Sequence, residues 1–122
     1  MNFPIQITFR GMEASAGMEE AIRTKAEDLG KYYDRIVRCH VTVEAPSQHH
    51  RQGMAYRVRV ELSVPGQDIV ASREPGDDNA HEDPYVALRD SFRAARDELK
   101  SHVGRMREQQ HKGERIAEGL NQ

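Results

Sequence analysis

Several features that would mark a particular class of protein are scarce or missing in this 122-residue sequence. Tryptophan is absent and Cys39 is the single cysteine, which excludes a framework of disulfide bonds within the chain. No apolar run approaches the length of a membrane span, and the N-terminus lacks the charged start and apolar centre of a signal peptide. We therefore expect a globular protein of the reducing cytoplasm.

Motifs for catalysis and for metal binding are also missing. The sequence contains no Walker loop, no GxGxxG and no GxSxG elbow. Its six histidines form no HxxxH or HExxH pattern, and the acidic residues of 74–84 do not have the ligand spacing of a calcium loop. We therefore expect no enzyme, no cofactor and no metal site. A small enzyme that uses His49 or His81 is the weakest hypothesis.

The net charge of −2 hides an uneven distribution of charge along the chain. Residues 74–84 carry five acids and no base, whereas residues 85–107 carry six bases and three acids. A polyanion meets the local field, because salt screens charges beyond about 8 Å at physiological ionic strength. The net charge therefore does not exclude nucleic acid as a partner of residues 85–107.

Strands are predicted where apolar and polar residues alternate, at residues 5–9, 35–44 and 56–64. A fourth strand-like run, 68–73, is short, and its apolar residues are consecutive, so the pattern does not indicate which of them face the core. Pro65 and Gly66 predict a hairpin turn before it. Cys39 falls on the apolar side of its strand, so we expect a small buried side chain rather than a nucleophile.

Helical spacing of apolar residues predicts two helices. The first follows Ser15, a candidate N-cap, and runs from Met18 towards Tyr32. The second covers residues 85–107, with an apolar stripe at Tyr85, Leu88, Phe92, Ala95, Leu99, Val103 and Met106. A base follows five of these positions directly: Arg89, Arg93, Arg96, Lys100 and Arg107. Because each residue advances about 100° around a helix, the bases form a second stripe beside the apolar one.

The order of strand, helix, three strands and helix predicts an α+β sandwich, a four-stranded sheet with two helices on one face. The other face of the sheet would show Arg38, His40, Arg57 and Arg59 to solvent. We expect one domain over residues 1–107. Residues 108–122 lose the apolar rhythm, so they are predicted to be a flexible or frayed C-terminal tail.

The basic stripe of residues 85–107 admits more than one interpretation. A solvated amphipathic helix is the simplest, since helices often expose Arg and Lys. If the two helices pack side by side, however, their bases form one surface that contacts phosphates without reading sequence. Tyr32, Tyr33 and Tyr85 are candidates for stacking on bases, although partial burial in the core is favoured for each. A non-enzymatic interaction module that docks an acidic protein on the basic helix is the alternative.

Five segments carry a resemblance to a known family: ITFRGME at 7–13, KAEDLGKYYDRI at 25–36, CHVTVE at 39–44, VPGQDIVAS at 64–72 and DPYVALRDSFRAARDELKSH at 83–102. Lys25, Leu29, Lys31 and residues 32–36 match a K-x-x-x-L-x-K-Y-F-D-R-I type segment. Asp83, Tyr85, Ala87, Leu88 and Asp90 are similar to an acidic residue followed by Met-Tyr-Ala-Ala-Ile-Asp. Over about residues 3–107 the sequence resembles the ribosome hibernation-promoting factor and ribosome-associated inhibitor family, also called the sigma-54 modulation or light-repressed protein family.

This resemblance implies a β-α-β-β-β-α fold related in architecture to double-stranded-RNA-binding domains. It also implies binding to the small ribosomal subunit in the channel used by tRNA and mRNA, which leaves an idle, protected ribosome in stationary phase or stress. The residues expected to contact rRNA are Arg10, Lys25, Lys31, Arg35, Arg89, Arg93, Arg96 and Lys100. No membrane and no small-molecule substrate is expected as a partner.

The sequence departs from the family pattern in three respects. Residues 74–84 are longer and more acidic than the family norm, and Arg89 replaces a residue that is usually acidic or neutral. The C-terminal dimerisation domain of the long family form is missing from this sequence, so we expect the protein to act as a short form.

Overall fold

The predicted order of strand, helix, three strands and helix is confirmed. The computed structural model describes residues 3–46, 55–73 and 83–120. The elements are β1 Ile5–Arg10, α1 Ala16–Tyr32, β2 Arg38–Glu44, β3 Arg57–Val64, β4 Gln67–Arg73 and α2 Pro84–Leu120. The acidic residues 74–82, together with His49 and His81, lie outside the described residues.

The four strands form one mixed sheet in the order β1-β2-β3-β4. β1 pairs parallel with β2, and the chain makes this crossover through α1, as a parallel pair requires. The other two pairs are antiparallel. Pro65 and Gly66 form the predicted turn between β3 and β4, where Gly66 has a φ of 88° that a side chain would strain.

Both helices lie on one face of the sheet, and the hydrophobic core lies between the two layers. α2 packs on β3 and β4, while α1 contacts β1. The alternation along the strands sends Val41, Val58 and Val60 into the core, where each is fully buried. The helices contribute Ile22, Ala26, Leu88, Ala95 and Leu99, all 0% exposed. Burying a Leu, Ile or Val side chain contributes about 1.5–3 kcal/mol, so this layer dominates the stability of the fold.

The two helices run side by side in the same direction. At their N-terminal ends, a Cβ placed on Gly17 would lie 2.7 Å from the Tyr85 hydroxyl. Further along, the Lys100 ammonium lies 5.9 Å from the centroid of the Tyr32 ring, in the last turn of α1. α1 is fixed at its start by the predicted cap, in which the Met18 N–H donates to Ser15 Oγ at 3.2 Å.

α2 extends well past the end expected for it from the sequence. Residues 85–107 were predicted to be helical, with a frayed or flexible segment after them, but the helix continues to Leu120. The helix is therefore longer than the apolar stripe predicts, while the flexible or frayed character of residues 108–122 stays a prediction. Glu, Gln, Lys and Arg favour a helix intrinsically, and no proline follows to stop it, so the backbone stays helical without an apolar stripe. A domain boundary at residue 107 stays a prediction.

Two side chains, those of Tyr85 and Val37, differ from the predicted core pattern. Tyr85 is 48% exposed, because at the first turn of α2 its hydroxyl reaches across to Gly17 instead of pointing into the sheet. Val37 is 59% exposed, because it precedes β2 and lies outside the strand alternation. In β4 the sequence pattern did not indicate which residues face the core. In the structure Ile69 is buried and Val70 is exposed.

Candidate nucleic-acid interface

A groove between the two helices collects four of the predicted cations. This first groove has a volume of about 540 Å³ and is lined by Lys25, Asp28, Leu29, Arg89, Phe92, Arg93 and Arg96. Leu29 and Phe92 are nearly fully buried, so they form its floor. Residues 89, 93 and 96 follow the four- and three-residue steps of one helix side, which places their guanidinium groups along one wall.

A second groove opens where α1 ends and α2 continues. It has a volume of about 720 Å³ and is lined by Lys31, Tyr32, Tyr33, Asp34, Arg35, Val103, Met106, Arg107, Gln109 and Gln110. One wall is the end of α1 and the residues that follow it, and the other wall is the part of α2 beyond Lys100. Lys31, Arg35 and Arg107 supply its positive charge.

Lys100 and Tyr32 join the two grooves. The Lys100 ammonium lies 5.9 Å from the centroid of the Tyr32 ring, within the range of a cation–π interaction. Lys100 stands four residues after Arg96 of the first groove, and Tyr32 lines the second groove. The predicted cations on α1 and α2, with Arg35, thus form one basic surface along the helical side of the molecule. We call this the helical surface: Lys25, Lys31, Arg35, Arg89, Arg93, Arg96 and Lys100.

Within residues 3–46, 55–73 and 83–120, few of these cations are neutralised by an acidic side chain. Arg89 Nε lies 3.3 Å from Asp90 Oδ1, and Lys31 Nζ lies 4.0 Å from Asp28 Oδ1 in an exposed pair. Among the residues that the structure describes, Arg93 and Arg96 form no ion pair. Exposed ion pairs contribute little, about 0–1 kcal/mol, so an incoming anion can replace those that exist. The helical surface is therefore electrostatically available to a polyanion.

Arg10 does not belong to the helical surface. It ends β1 on the open face of the sheet, where its cross-strand neighbour is Glu44 and the next is Arg57. These three residues line a shallow depression of about 260 Å³ on that face. The structure therefore separates Arg10 from the other seven predicted residues by the full thickness of the sheet. The open face shows Arg38, Arg57 and Arg59 exposed, as expected, with His40 half-buried.

The described residues give little support to nucleophilic or metal chemistry. Burial raises the pKa of the Cys39 thiol to about 12, so the reactive thiolate is disfavoured at neutral pH. The expectation that Cys39 is a small buried side chain is thus confirmed. Within residues 3–46, 55–73 and 83–120, no group of three or more His, Cys, Asp or Glu side chains is arranged to hold a metal ion.

The family model described as "Sigma 54 modulation protein / S30EA ribosomal protein" matches residues 5–107. The chain belongs to this family. The match begins at the first residue of β1, spans all four strands, and ends within α2. It therefore covers every residue of the first groove, and the resemblance recognised in the sequence is confirmed.

Two solved structures have the fold of this sigma-54 modulation family member. A ribosomal subunit interface protein from Coxiella burnetii is 19% identical, with a TM-score of 0.69, and the match covers 84% of this chain and 99% of that one. The N-terminal domain of Protein Y from Thermus thermophilus is 23% identical, with a TM-score of 0.56, and the match covers 87% of this chain and 99% of that one. Among curated proteins, no sequence matches this chain.

Sequence reasoning missed part of the second groove. Arg107 belongs to the basic stripe that the spacing predicts, two turns after Lys100, but it is not among the residues expected to contact rRNA. Gln109 and Gln110 lie beyond the family match, in a segment predicted to be a frayed tail. Tyr32 was favoured as partial core, yet it is 39% exposed. No helix among the described residues is long and apolar enough to cross a membrane.

Proposed function

We propose that this protein is a ribosome-associated translation inhibitor, a hibernation factor of the cytoplasm. It binds small-subunit rRNA in the channel that tRNA and mRNA use, under stress or in stationary phase. Membership of a family described as ribosomal supports the ribosome as target. The observation that carries the proposal is the first groove, in which Lys25, Arg89, Arg93 and Arg96 converge from two helices.

The geometry of the helical surface suits phosphates better than base edges. Arg93 and Arg96 project from a helix that is buried against the sheet through Phe92, Ala95 and Leu99, so the core fixes the backbone that carries them. Guanidinium groups contact phosphate oxygens through two N–H groups at once and supply affinity that does not depend on sequence. Folded RNA is recognised by shape in this manner. Arg10, on the opposite face, contacts rRNA only if the RNA also reaches the end of β1.

Inhibition by this mechanism requires no chemical step. A protein that occupies the decoding channel excludes tRNA and mRNA, and its effect is set by binding affinity alone. α2 has 37 residues, which at 1.5 Å per residue makes a rod of about 55 Å. The bases of α2 from Arg89 to Lys100 lie along one side of this helix, an arrangement that suits an elongated RNA-walled channel.

The proposal is tested by sedimentation with purified small subunits. We expect the protein to pellet with small subunits, to be displaced as salt rises, and to lower protein synthesis in a cell-free system. Each phosphate contact releases counterions, so log affinity should fall linearly with log salt concentration. Pelleting that does not respond to salt would contradict an interface built from phosphate contacts.

The alternative partner is an acidic protein that docks on the same helical surface. Recovery of bound material after nuclease treatment separates the two partners, since a protein partner survives the loss of RNA. Binding to a nuclease-treated lysate, without binding to small subunits, would replace the ribosome with a protein target.

A further inference from the structure

The second groove contains an exposed aromatic ring, which the first groove does not. We infer that the second groove binds an unstacked nucleotide of single-stranded RNA, with its base against the Tyr32 ring. This inference rests on the proposed contact with rRNA and adds a site for a base to a surface otherwise suited to phosphates. Bases that are splayed out of a fold are commonly held by stacking on aromatic side chains.

The floor of the second groove is apolar and its ring is accessible. Tyr32 is 39% exposed, whereas Val103 beneath the groove is 4% exposed and Met106 is half-buried. Tyr33, which also lines the groove, packs against the hydrophobic core and is held by a backbone hydrogen bond to Leu29. The accessible stacking surface is therefore that of Tyr32. Phe92, the aromatic residue of the first groove, is only 5% exposed and offers no such surface.

Lys100 supports the Tyr32 ring from outside the groove. Its ammonium approaches to 5.9 Å from the ring centroid, yet Lys100 is not among the residues that line the groove. The interaction links the ring to α2 without filling the space where a base would lie. A ring held in this way loses less conformational entropy when a base stacks on it than a free side chain would.

The rim of the second groove matches the two polar parts of a nucleotide. Lys31, Arg35 and Arg107 provide three cations for the phosphate. Asp34 provides a carboxylate that accepts hydrogen bonds from amino groups of a base, and Gln109 and Gln110 provide amides that donate and accept. A volume of about 720 Å³ is within the range of about 300–1,000 Å³ typical of small-ligand sites.

The experiment measures the contribution of one base to the binding of a short RNA. A single-stranded RNA of about five nucleotides carries 2-aminopurine at its centre, and a matched RNA is abasic at that position. Because the protein has no tryptophan, 2-aminopurine is excited without interference from the chain. We expect binding at low salt to quench 2-aminopurine, and the abasic RNA to bind the protein at least about fivefold more weakly.

Variants then assign the effect to Tyr32. Tyr32→Ala should remove the quenching and make the two RNAs bind equally, whereas Tyr32→Phe should behave like the wild type. Arg93→Gln, in the first groove, should weaken both RNAs by the same factor. Equal wild-type affinity for the two RNAs, no detectable binding of either, or quenching retained in Tyr32→Ala would overturn the inference.

Pelleting with small subunits, run on the same samples, keeps this inference separate from the proposed function. A wild-type protein that pellets with small subunits but does not distinguish the two RNAs refutes the nucleotide site alone. A wild-type protein that does not pellet with small subunits refutes the proposed function, whatever the short RNAs do.

Discussion

Lys100 of α2 lies over Tyr32 of α1, with 5.9 Å between the ammonium nitrogen and the centroid of the ring. This interaction ties the last turn of the first helix to the middle of the second. Both side chains are exposed, so the interaction is a weak one, of about 0.5–1 kcal/mol. Its position matters more than its strength, because it stands where the first groove meets the second.

Replacement of Lys100 should therefore affect binding more than folding. We expect Lys100→Gln to lower the free energy of unfolding by less than about 1 kcal/mol, measured by urea denaturation. The same variant should weaken small-subunit binding measurably at low salt, because a phosphate contact is lost. A loss of stability of several kcal/mol would show instead that Lys100 is mainly a structural residue.

Two glycines of α1 should respond differently to the same substitution. A Cβ on Gly30 would lie 2.8 Å from Cε1 of Phe3, whose ring packs against the core, so Gly30→Ala must displace that ring. We expect a loss of about 1–3 kcal/mol from overpacking, offset in part by the better helix propensity of Ala. Thermal and urea unfolding of the purified variant measure the difference.

Gly17→Ala is the matched control within the same helix. Its Cβ would meet the Tyr85 hydroxyl at 2.7 Å, but this is the far end of a half-exposed side chain that can turn into solvent. We expect a change within about 0.5 kcal/mol of the wild type. Equal destabilisation by both substitutions would contradict the claim that contact with the Phe3 ring is the reason for the effect of Gly30→Ala.

The thiol of Cys39 should report on unfolding. Burial raises its pKa to about 12, and Cys39 is the single cysteine of the chain, so thiol reagents should label the native protein only as fast as it opens. The raised pKa also sets the direction in which stability changes with pH. Below the unfolded pKa near 9.0 the thiol is neutral in both states, and above it the unfolded state loses the proton first.

Stability should therefore fall as pH rises above about 9, and Cys39→Ala should remove this part of the dependence. Labelling rates in native buffer and in denaturant, compared across that range, provide the measurement. Labelling of the native protein as fast as that of the denatured protein would contradict the buried position of Cys39.

The fold was predictable from the sequence because its signals are local. The alternation in β2 and β3 and the three- and four-residue steps of α2 set which side chains face the core. β4 was less clear because Ile69, Val70 and Ala71 form an unbroken apolar run, and only pairing with β3 decides that Val70 faces out. The end of α2 was missed because a polar helix gives no periodic apolar signal.

The candidate site was predictable only in part, for a different reason. Spacing placed Arg89, Arg93 and Arg96 on one side of α2. They face Lys25 across a groove only because the two helices run in parallel. The alternation of β1 indicates that Arg10 and Phe9 point to opposite faces of the sheet. Arg10 is far from the helical surface because both helices cover the face to which Phe9 points. The second groove forms because α2 continues past the point where α1 ends. No local pattern in the sequence predicts this difference.

The most direct test of the account is the salt dependence of small-subunit binding by two matched triple variants. Arg93→Gln, Arg96→Gln and Lys100→Gln together remove three charges from the helical surface. Arg38→Gln, Arg57→Gln and Arg59→Gln remove three charges from the open face of the sheet. Circular dichroism and thermal unfolding establish that both variants are folded.

We expect the helical-surface variant to bind small subunits much more weakly, with the slope of log affinity against log salt reduced by about 2–3. The open-face variant should keep the wild-type affinity and slope. Equal losses in the two variants, or an unchanged slope in the helical-surface variant, would contradict the claim that the helical surface is what contacts rRNA.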